Sequence, residues 1–542
     1  MRNSEYTNFR CFSLICGSKA LSLPGDAAPG RWCVLPPALP VRSGPITRRS
    51  FNATLAAAAL LPRPTAAASI APVVITSDED VTTLDPHLIR NNHPIGSLIW
   101  SLFDSLVRRR PDGTHEPRLA TGWSQVSPTV WHFTLRPGVT FHDGERLDAA
   151  GVVFNFNRMN QAPWNGECQL WQQSGLVACA ALDPLTVALT TAAPSSTLLY
   201  WLEEAFIGPT AYLRDTAPEL VGSHPIGSGP YLFVSWQRGS QVTLRANPAY
   251  WGGAPPIRDV VFRAVPELSA RLDELKGGSI DLLTGLDPDS AALAVSPVSG
   301  VRQVRGLRKM HVGIAQHGIA PLRDRLVRQA LNHAVDVQLM VDTLQRGTTT
   351  RLLSVINPPN NDPALQPFAY DPQQARALLH QSGHAGFAVE LAFDGRYADA
   401  QETCEAVGSF LEAVGLHPVL KAYESGHFAE TLRARGFPGL YFYGFAAQIE
   451  PLVELVVFTG SAIDNASGYD NPAVDAVMRQ AADVTDADAR AALVRQAEGM
   501  IWNDAPWIYL WYLPALYGSS HRLEYTPRPD DYVEIYRARL AA

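Results

Sequence analysis

At 542 residues the chain is longer than a single hydrophobic core normally sustains, so at least two domains are expected. Its 46% apolar and 18% charged residues describe a folded globular protein. A net charge of −8, with no Lys/Arg run interleaved with aromatics, gives no basis for a nucleic-acid partner, and none is expected.

The first 71 residues read apart from the rest. Thr47-Arg48-Arg49-Ser50-Phe51 precedes the short apolar run Ala53–Leu61 and the small-residue cluster Ala66-Ala67-Ala68-Ser69. This is the order of a cleaved export signal, and the paired arginines resemble the twin-arginine type, with removal expected after Ala68. The run is too short to span a bilayer as a helix. Met1–Ile46 shows no periodicity and reads either as an extended leader or as a misassigned start. Beyond the leader, Cys168 and Cys179 are spaced to close a short loop if oxidised, while Cys404 falls in a helical pattern as a small buried residue.

The remaining chain alternates strand and helix signals. Val73–Leu84 reads as a strand, His87–His93 as a polar loop and Ile95–Leu106 as an apolar helix. Trp131, Phe133 and Leu135 alternate along a strand, Asp148 caps a helix, and Val152, Val153, Phe156 and Met159 repeat at helical spacing. His142-Asp143 precedes Gly144 and has no third ligand nearby, so it reads as a turn rather than a metal pair. Leu182–Leu202 alternates again. Gly227 and Gly229 before Pro230 predict a tight, stiff crossing, read as a hinge. A hairpin over Tyr231–Leu244 and a strand at Val260–Val265 follow. Helix patterns at Leu268–Leu275, Asp324–Asp336, Asp371–Leu379 and Val407–Val414 alternate with strands at Ile280–Leu282, Phe387–Leu391 and Pro418–Lys421, which predicts a βαβ unit and a parallel or mixed sheet. Asn471-Pro472 and Thr485-Asp486 start two further helices, and Trp507–Leu513 is an apolar strand.

The strings WHFTLRPGVTFHDGERLDAAGVVFNFNRM, IGSGPY and ANPAYWGGAPP, in that order, resemble the extracytoplasmic solute-binding proteins of peptide-type ABC importers. That resemblance runs from Val73 to the end. It implies an α/β, two-lobed periplasmic-binding fold in its large three-domain form, with mixed sheets and a ligand cleft between the lobes. Domain I would comprise 72–105, 224–306 and 507–542, domain II 106–223, and domain III 307–506. The implied role is non-enzymatic: a periplasmic monomer, without cofactor or metal, that delivers a peptide or peptide-like solute to permease subunits in the inner membrane. A non-peptide solute or a metal chelate is the alternative within the family. A secreted hydrolase is disfavoured, since no Gly-x-Ser-x-Gly, His-Glu-x-x-His, P-loop or Rossmann pattern occurs.

In peptide-binding relatives a Gly-Trp-x-x-Asp motif offers a carboxylate to the ligand's ammonium group. Here the string is Gly444-Phe445-Ala446-Ala447-Gln448-Ile449-Glu450-Pro451. Gln448 replaces the acid and cannot offset a buried ammonium charge. Either Glu450 supplies the charge from a shorter loop, or the solute has no free amine there. Arg396 falls where some dipeptide-binding relatives use an arginine to hold the ligand carboxylate, a group that a guanidinium fork suits. Asn92 and His93 fall near the expected cleft, and Phe445 and Tyr469, with Trp100 and Phe103, are candidate wall residues. Gly227, Gly229 and Pro230 are the expected hinge.

Overall fold

The computed structural model describes residues 71–88, 93–164, 170–395, 398–445, 449–460, 462, 465–484 and 486–541. The expected leader and signal sequence, and Cys168, lie outside them. In chain order the strands are β1 (Val73–Ser77), β2 (Val107–Arg109), β3 (His115–Pro117), β4 (Ala120–Ser127), β5 (Val130–Leu135), β6 (Leu176–Asp183), β7 (Thr186–Thr191) and β8 (Tyr231–Gln237). There follow β9 (Gln241–Ala246), β10 (Asp259–Ala264), β11 (Leu282–Leu283), β12 (Ser299–Ile314), β13 (Ala388–Asp394), β14 (His417–Tyr423), β15 (Leu440–Phe445) and β16 (Trp507–Ser520).

Ten of these strands form a mixed sheet in the order β14-β13-β15-β12-β16-β11-β1-β10-β9-β8. Its middle is the antiparallel pair β12 and β16, two strands long enough to belong to both halves of the molecule. On one side of the middle, Val312, Ile314, Ile508 and Leu510 share a core with Leu391 and Leu440. On the other, Ala515 and Tyr517 pack with Val73, Ile75 and Leu244. The change of core coincides with a register shift between Arg305 and Lys309, opposite Pro514, whose nitrogen cannot donate to the ladder.

A separate antiparallel sheet, β4-β5-β7-β6, carries its own core. The alternation read along β5 puts Phe133 and Leu135 inside, and the helix Ala149–Met159 lays Val152, Phe156 and Met159 over them. Asp148 caps that helix, accepting the Gly151 amide at 2.7 Å. Asp371, Asn471 and Asp486 cap the helices they were expected to start, Asp324 caps the helix Arg325–Ala334, and Gly383 closes its helix in the left-handed region at φ 73°. Cys404 is buried in the helix Ala398–Ala413.

Several expectations are corrected. The strand read over Val73–Leu84 ends at Ser77, and the helix read to Leu106 ends at Leu102. The alternation over Leu182–Leu202 breaks at Pro194 into strand β7 and a short helix, Leu198–Leu202. Strand β16 runs seven residues past Leu513, to Ser520.

Gly227, Gly229 and Pro230, the expected hinge, are buried against a neighbouring segment, and β12 and β16 also cross between the two halves of the large sheet. Gly229 donates to the Leu102 carbonyl at 2.9 Å, and the His142 amide donates to the Gly227 carbonyl at 2.8 Å. A Cβ on Gly227 would stand 2.1 Å from the Leu102 oxygen, and one on Gly229 2.5 Å from the Leu102 carbonyl carbon. Both are glycine because backbone meets backbone there. Alanine at either position should therefore destabilise by about 1–3 kcal/mol, the usual cost of overpacking. Gly122→Ala, with nothing within 4 Å of the added carbon, should stay within ~0.5 kcal/mol in the same urea titration.

Candidate functional site

The chain brings ionisable side chains of both signs together where the β2–β3 hairpin, the end of the helix Leu198–Leu202, the start of the helix Pro451–Leu455 and the C-terminal loop meet. The hairpin turns at Asp112, whose carboxylate accepts from the Thr114 amide and hydroxyl, and at Gly113 with φ 87°. A side chain on Gly113 would begin 3.1 Å from Ile449, so the hairpin tip abuts the segment that leads into the helix Pro451–Leu455. Ile449 also packs on Leu307, and its carbonyl accepts from Asn360 at 3.0 Å.

On the hairpin side, Arg108 and Arg109 are almost wholly buried. Arg108 lies between Asp104 and Glu534, at 3.6 and 3.5 Å, with its guanidinium 4.5 Å from the Trp100 ring. Trp100 stacks on Tyr532 at 4.3 Å and takes a second cation, Arg528, at 5.1 Å. Arg528 in turn holds Asp530 at 2.6 Å. Arg109 lies 3.5 Å from Glu203 and 3.7 Å from Asp530, over the Tyr200 ring. Burial, reinforced by the adjacent Glu203 charge and opposed by Arg109, pushes the Glu204 carboxyl up to about 8.

From the opposite side comes the segment around Glu450. Burial pushes its carboxyl up to about 7, against the pull of Arg490 and, across the junction, of Arg109. Four residues further on, within the helix, Glu454 is fully buried and paired with Lys309 of β12, while Asn357 donates to it through its amide side chain at 2.6 Å. Burial drives the pair toward neutrality, raising Glu454 and lowering Lys309, and their mutual attraction opposes both shifts. The Lys309 ammonium also lies 5.3 Å from the Phe445 ring, which meets Trp507 at 5.8 Å. His311 stacks on Trp507 at 3.7 Å, and burial brings its imidazole down to about 3.

Of the residues singled out in the sequence, Trp100, Phe445 and Glu450 are thus brought to this junction. Tyr469 is buried in a neighbouring core, its hydroxyl donating to Asp504 at 2.7 Å. Phe103 is likewise buried, beside Gly227. His93 begins the helix His93–Leu102, and Asn92, Arg396 and Gln448 lie outside the described residues. Sequence reading missed Arg109, Glu203, Glu204, Lys309 and Glu454. The available signal was the unusual clustering of charge inside apolar runs, as in LLYWLEEAFIG.

The fold is that of the solute-binding receptors. The model of the bacterial extracellular solute-binding proteins, family 5, matches residues 114–463, and the chain belongs to that family. Among curated relatives, the glutathione-binding protein GsiB of Salmonella paratyphi A is 27% identical over 461 residues, covering 81% of this chain and 88% of its own. Among solved structures, HbpA2 from Haemophilus parasuis superposes with a TM-score of 0.78 at 23% identity, covering 87% of this chain and all of its own. DppA from Helicobacter pylori, solved with the peptide STSA, gives 0.71 at 23% identity, covering 87% of this chain and 98% of its own.

The raised carboxyls fix a pH dependence. A carboxyl whose folded value exceeds the ordinary 4.5 contributes stability that is complete below that value and is lost as pH rises through the folded value, here about 7 for Glu450 and about 8 for Glu204. The unfolding temperature of the ligand-free protein should fall between pH 5.5 and 8.5, and Glu204→Gln should flatten that fall. An identical slope in the variant would remove Glu204 from the account.

Proposed function

We propose that the protein is the periplasmic binding component of an ABC importer, exported by the twin-arginine route, which captures a peptide or peptide-like solute as a monomer and presents it to permease subunits in the inner membrane. No covalent chemistry is part of this role. Domain I would comprise 72–105, 224–306 and 507–542, with domain II at 106–223 and domain III at 307–506. The separate cores of the two half-sheets and of β4–β7 support this division.

The observation that carries the proposal is the meeting of opposite charges at one junction, Arg109 buried on the hairpin side and Glu450 half-buried at the helix start, where the Arg109 charge acts on it. A solute with a positive and a negative end pairs with both at once. It therefore favours the closed arrangement over any in which the lobes part, which is what a capture-and-release receptor needs. In this reading Glu450 takes the part that Gln448 cannot, Phe445 forms an apolar wall, and Tyr469 supports that wall through its bond to Asp504. Arg396, Gln448, Asn92 and His93 complete the proposed contact set. The relatives' names, one for glutathione and one solved with a peptide, agree with a solute of this type.

A thermal-shift panel on the purified protein tests it, with free di- and tripeptides, glutathione, their N-acetylated forms and neutral sugars. A ligand at 100 times its dissociation constant adds about 2.7 kcal/mol. Stabilisation by free-amine compounds, lost on acetylation and in Glu450→Gln, is the expected result. Stabilisation by sugars alone would end the peptide reading.

A further inference from the structure

Two histidines outside the candidate site are held in the same way. His87 is buried, and its Nε2 meets the Phe206 carbonyl at 2.8 Å, so that nitrogen carries the ring proton. Its Nδ1 faces Arg158 Nη1 at 2.5 Å, and a guanidinium can only donate. His142 repeats the arrangement in the turn 141–144. Its Nε2 donates to the Gly229 carbonyl at 3.0 Å, and its Nδ1 accepts the Gly227 amide at 3.3 Å. Each ring thus stands between an obligate acceptor and an obligate donor, a pair that only the neutral imidazole can serve. A second proton, on Nδ1, would set N–H against N–H. His333 and His521 differ, since each puts Nδ1 on a carbonyl oxygen, at 2.8 and 3.2 Å, a bond that a second ring proton leaves intact.

The two rings cross one boundary in opposite directions. His87 follows β1 of the large sheet and bonds the body built on β4–β7, through Arg158 of the covering helix Ala149–Met159 and through Phe206, whose chain neighbours Ala205 and Ile207 lie in that body's core. His142 comes from the body itself, next to Phe141 of the same core, and bonds the Gly227–Gly229 crossing, which packs on Leu102 of the large-sheet core. The β2–β3 hairpin with Arg108 and Arg109 is anchored to the same body by Leu106 and Val107. Loosening this boundary therefore loosens one wall of the candidate site.

We infer that His87 and His142 are the two clips of an acid-opened joint: a proton taken up on Nδ1 of either ring breaks that ring's bond across the boundary, and uptake by both frees the β4–β7 body from the large sheet. The charges facing His87 are Asp85 and Arg158, and Arg158 also holds Asp85 at 2.6 Å. Burial, aided by Arg158 and opposed by Asp85, brings the His87 imidazole down to about 4. Asp104 and Asp143 face His142 and favour a proton there, but burial outweighs both and lowers it. A ring that is protonated only when the joint is open makes opening about tenfold easier for each pH unit below its ordinary 6.5, until the closed form takes the proton as well. The joint is therefore intact above that value and is lost as pH falls.

Hydrogen exchange read by mass spectrometry on the ligand-free protein, at about pH 7.5 and about pH 4.5, tests the inference. Each rate is corrected for the intrinsic pH dependence of exchange and referred to β12 and β16 in the same sample. Residues 84–88 and 226–231 should lose at least about tenfold in protection relative to those strands on acidification. The double variant His87→Asn, His142→Asn keeps an uncharged acceptor near each Nδ1 position. It should start with lower protection at both segments and lose no more of it in acid. Constant relative protection in the wild-type protein, a loss shared equally by β12 and β16, or an undiminished loss in the double variant overturns the joint. Should that variant not fold, the wild-type comparison decides alone.

Discussion

Everything in this molecule hangs on the pairing of β12 with β16. These neighbours run antiparallel from one core into another, from Ser299 opposite Ser520 to Gly313 opposite Trp507. Where they change cores, the ladder slips between Arg305 and Lys309, and Gly306 presses against the Leu513 carbonyl, leaving 2.1 Å for any Cβ. Pro514 withholds a donor at the same level. A ladder thinned in this way bends more readily than one fully bonded, so the join between lobes is weakest in hydrogen bonds where the cores part.

The site stands beside that join and takes its character from desolvation. Lys309 leaves β12 immediately after the slip, and its pairing with Glu454 ties the helix Pro451–Leu455 to the crossing strand. Glu450, at the N-cap of that helix, therefore moves with the strand rather than with a free loop. The opposite wall is braced by the chain of Arg108, Trp100, Arg528 and Asp530, in which each charge meets either a counter-charge or an aromatic face. Breaking a pair in such a lattice strands its partner in a medium that does not tolerate an isolated charge. Each wall is thus cross-braced by its own buried charges.

Much of the fold was legible because its signals are local. Caps at Asp148, Asp371 and Asn471, the alternation of β5 and the left-handed stop at Gly383 depend on residues a few positions apart. Strand β12 escaped notice because Arg302, Arg305, Arg308 and Lys309 interrupt its apolar pattern, although Lys309 is fully buried by a partner far away in sequence. The run Arg108-Arg109-Arg110 looks like a solvated turn, yet only Arg110 reaches water, because Glu203 and Glu534 arrive from distant segments to join Asp104, four residues back. Gly227 and Gly229 read as a stiff crossing, and it is the Leu102 backbone packed against them that requires glycine at both positions. In each case the deciding neighbour is distant along the chain, and no local pattern encodes it.

Because β12 carries the chain out of one half-sheet and β16 brings it back alongside, everything from residue 315 to 506 is a continuous excursion whose two ends are adjacent strands. Its core is not self-contained, because Ile508 and Leu510 of β16 pack into it beside Leu391 and Leu440. The other half-sheet waits for the same strand, since β11 pairs with β16. Both halves are therefore completed by a segment synthesised almost last, and their assembly should be late and joint. A chain cut short before Trp507 would leave β12 and β11 each with an unpaired strand edge, a surface prone to aggregation and a natural point of entry for proteolytic quality control.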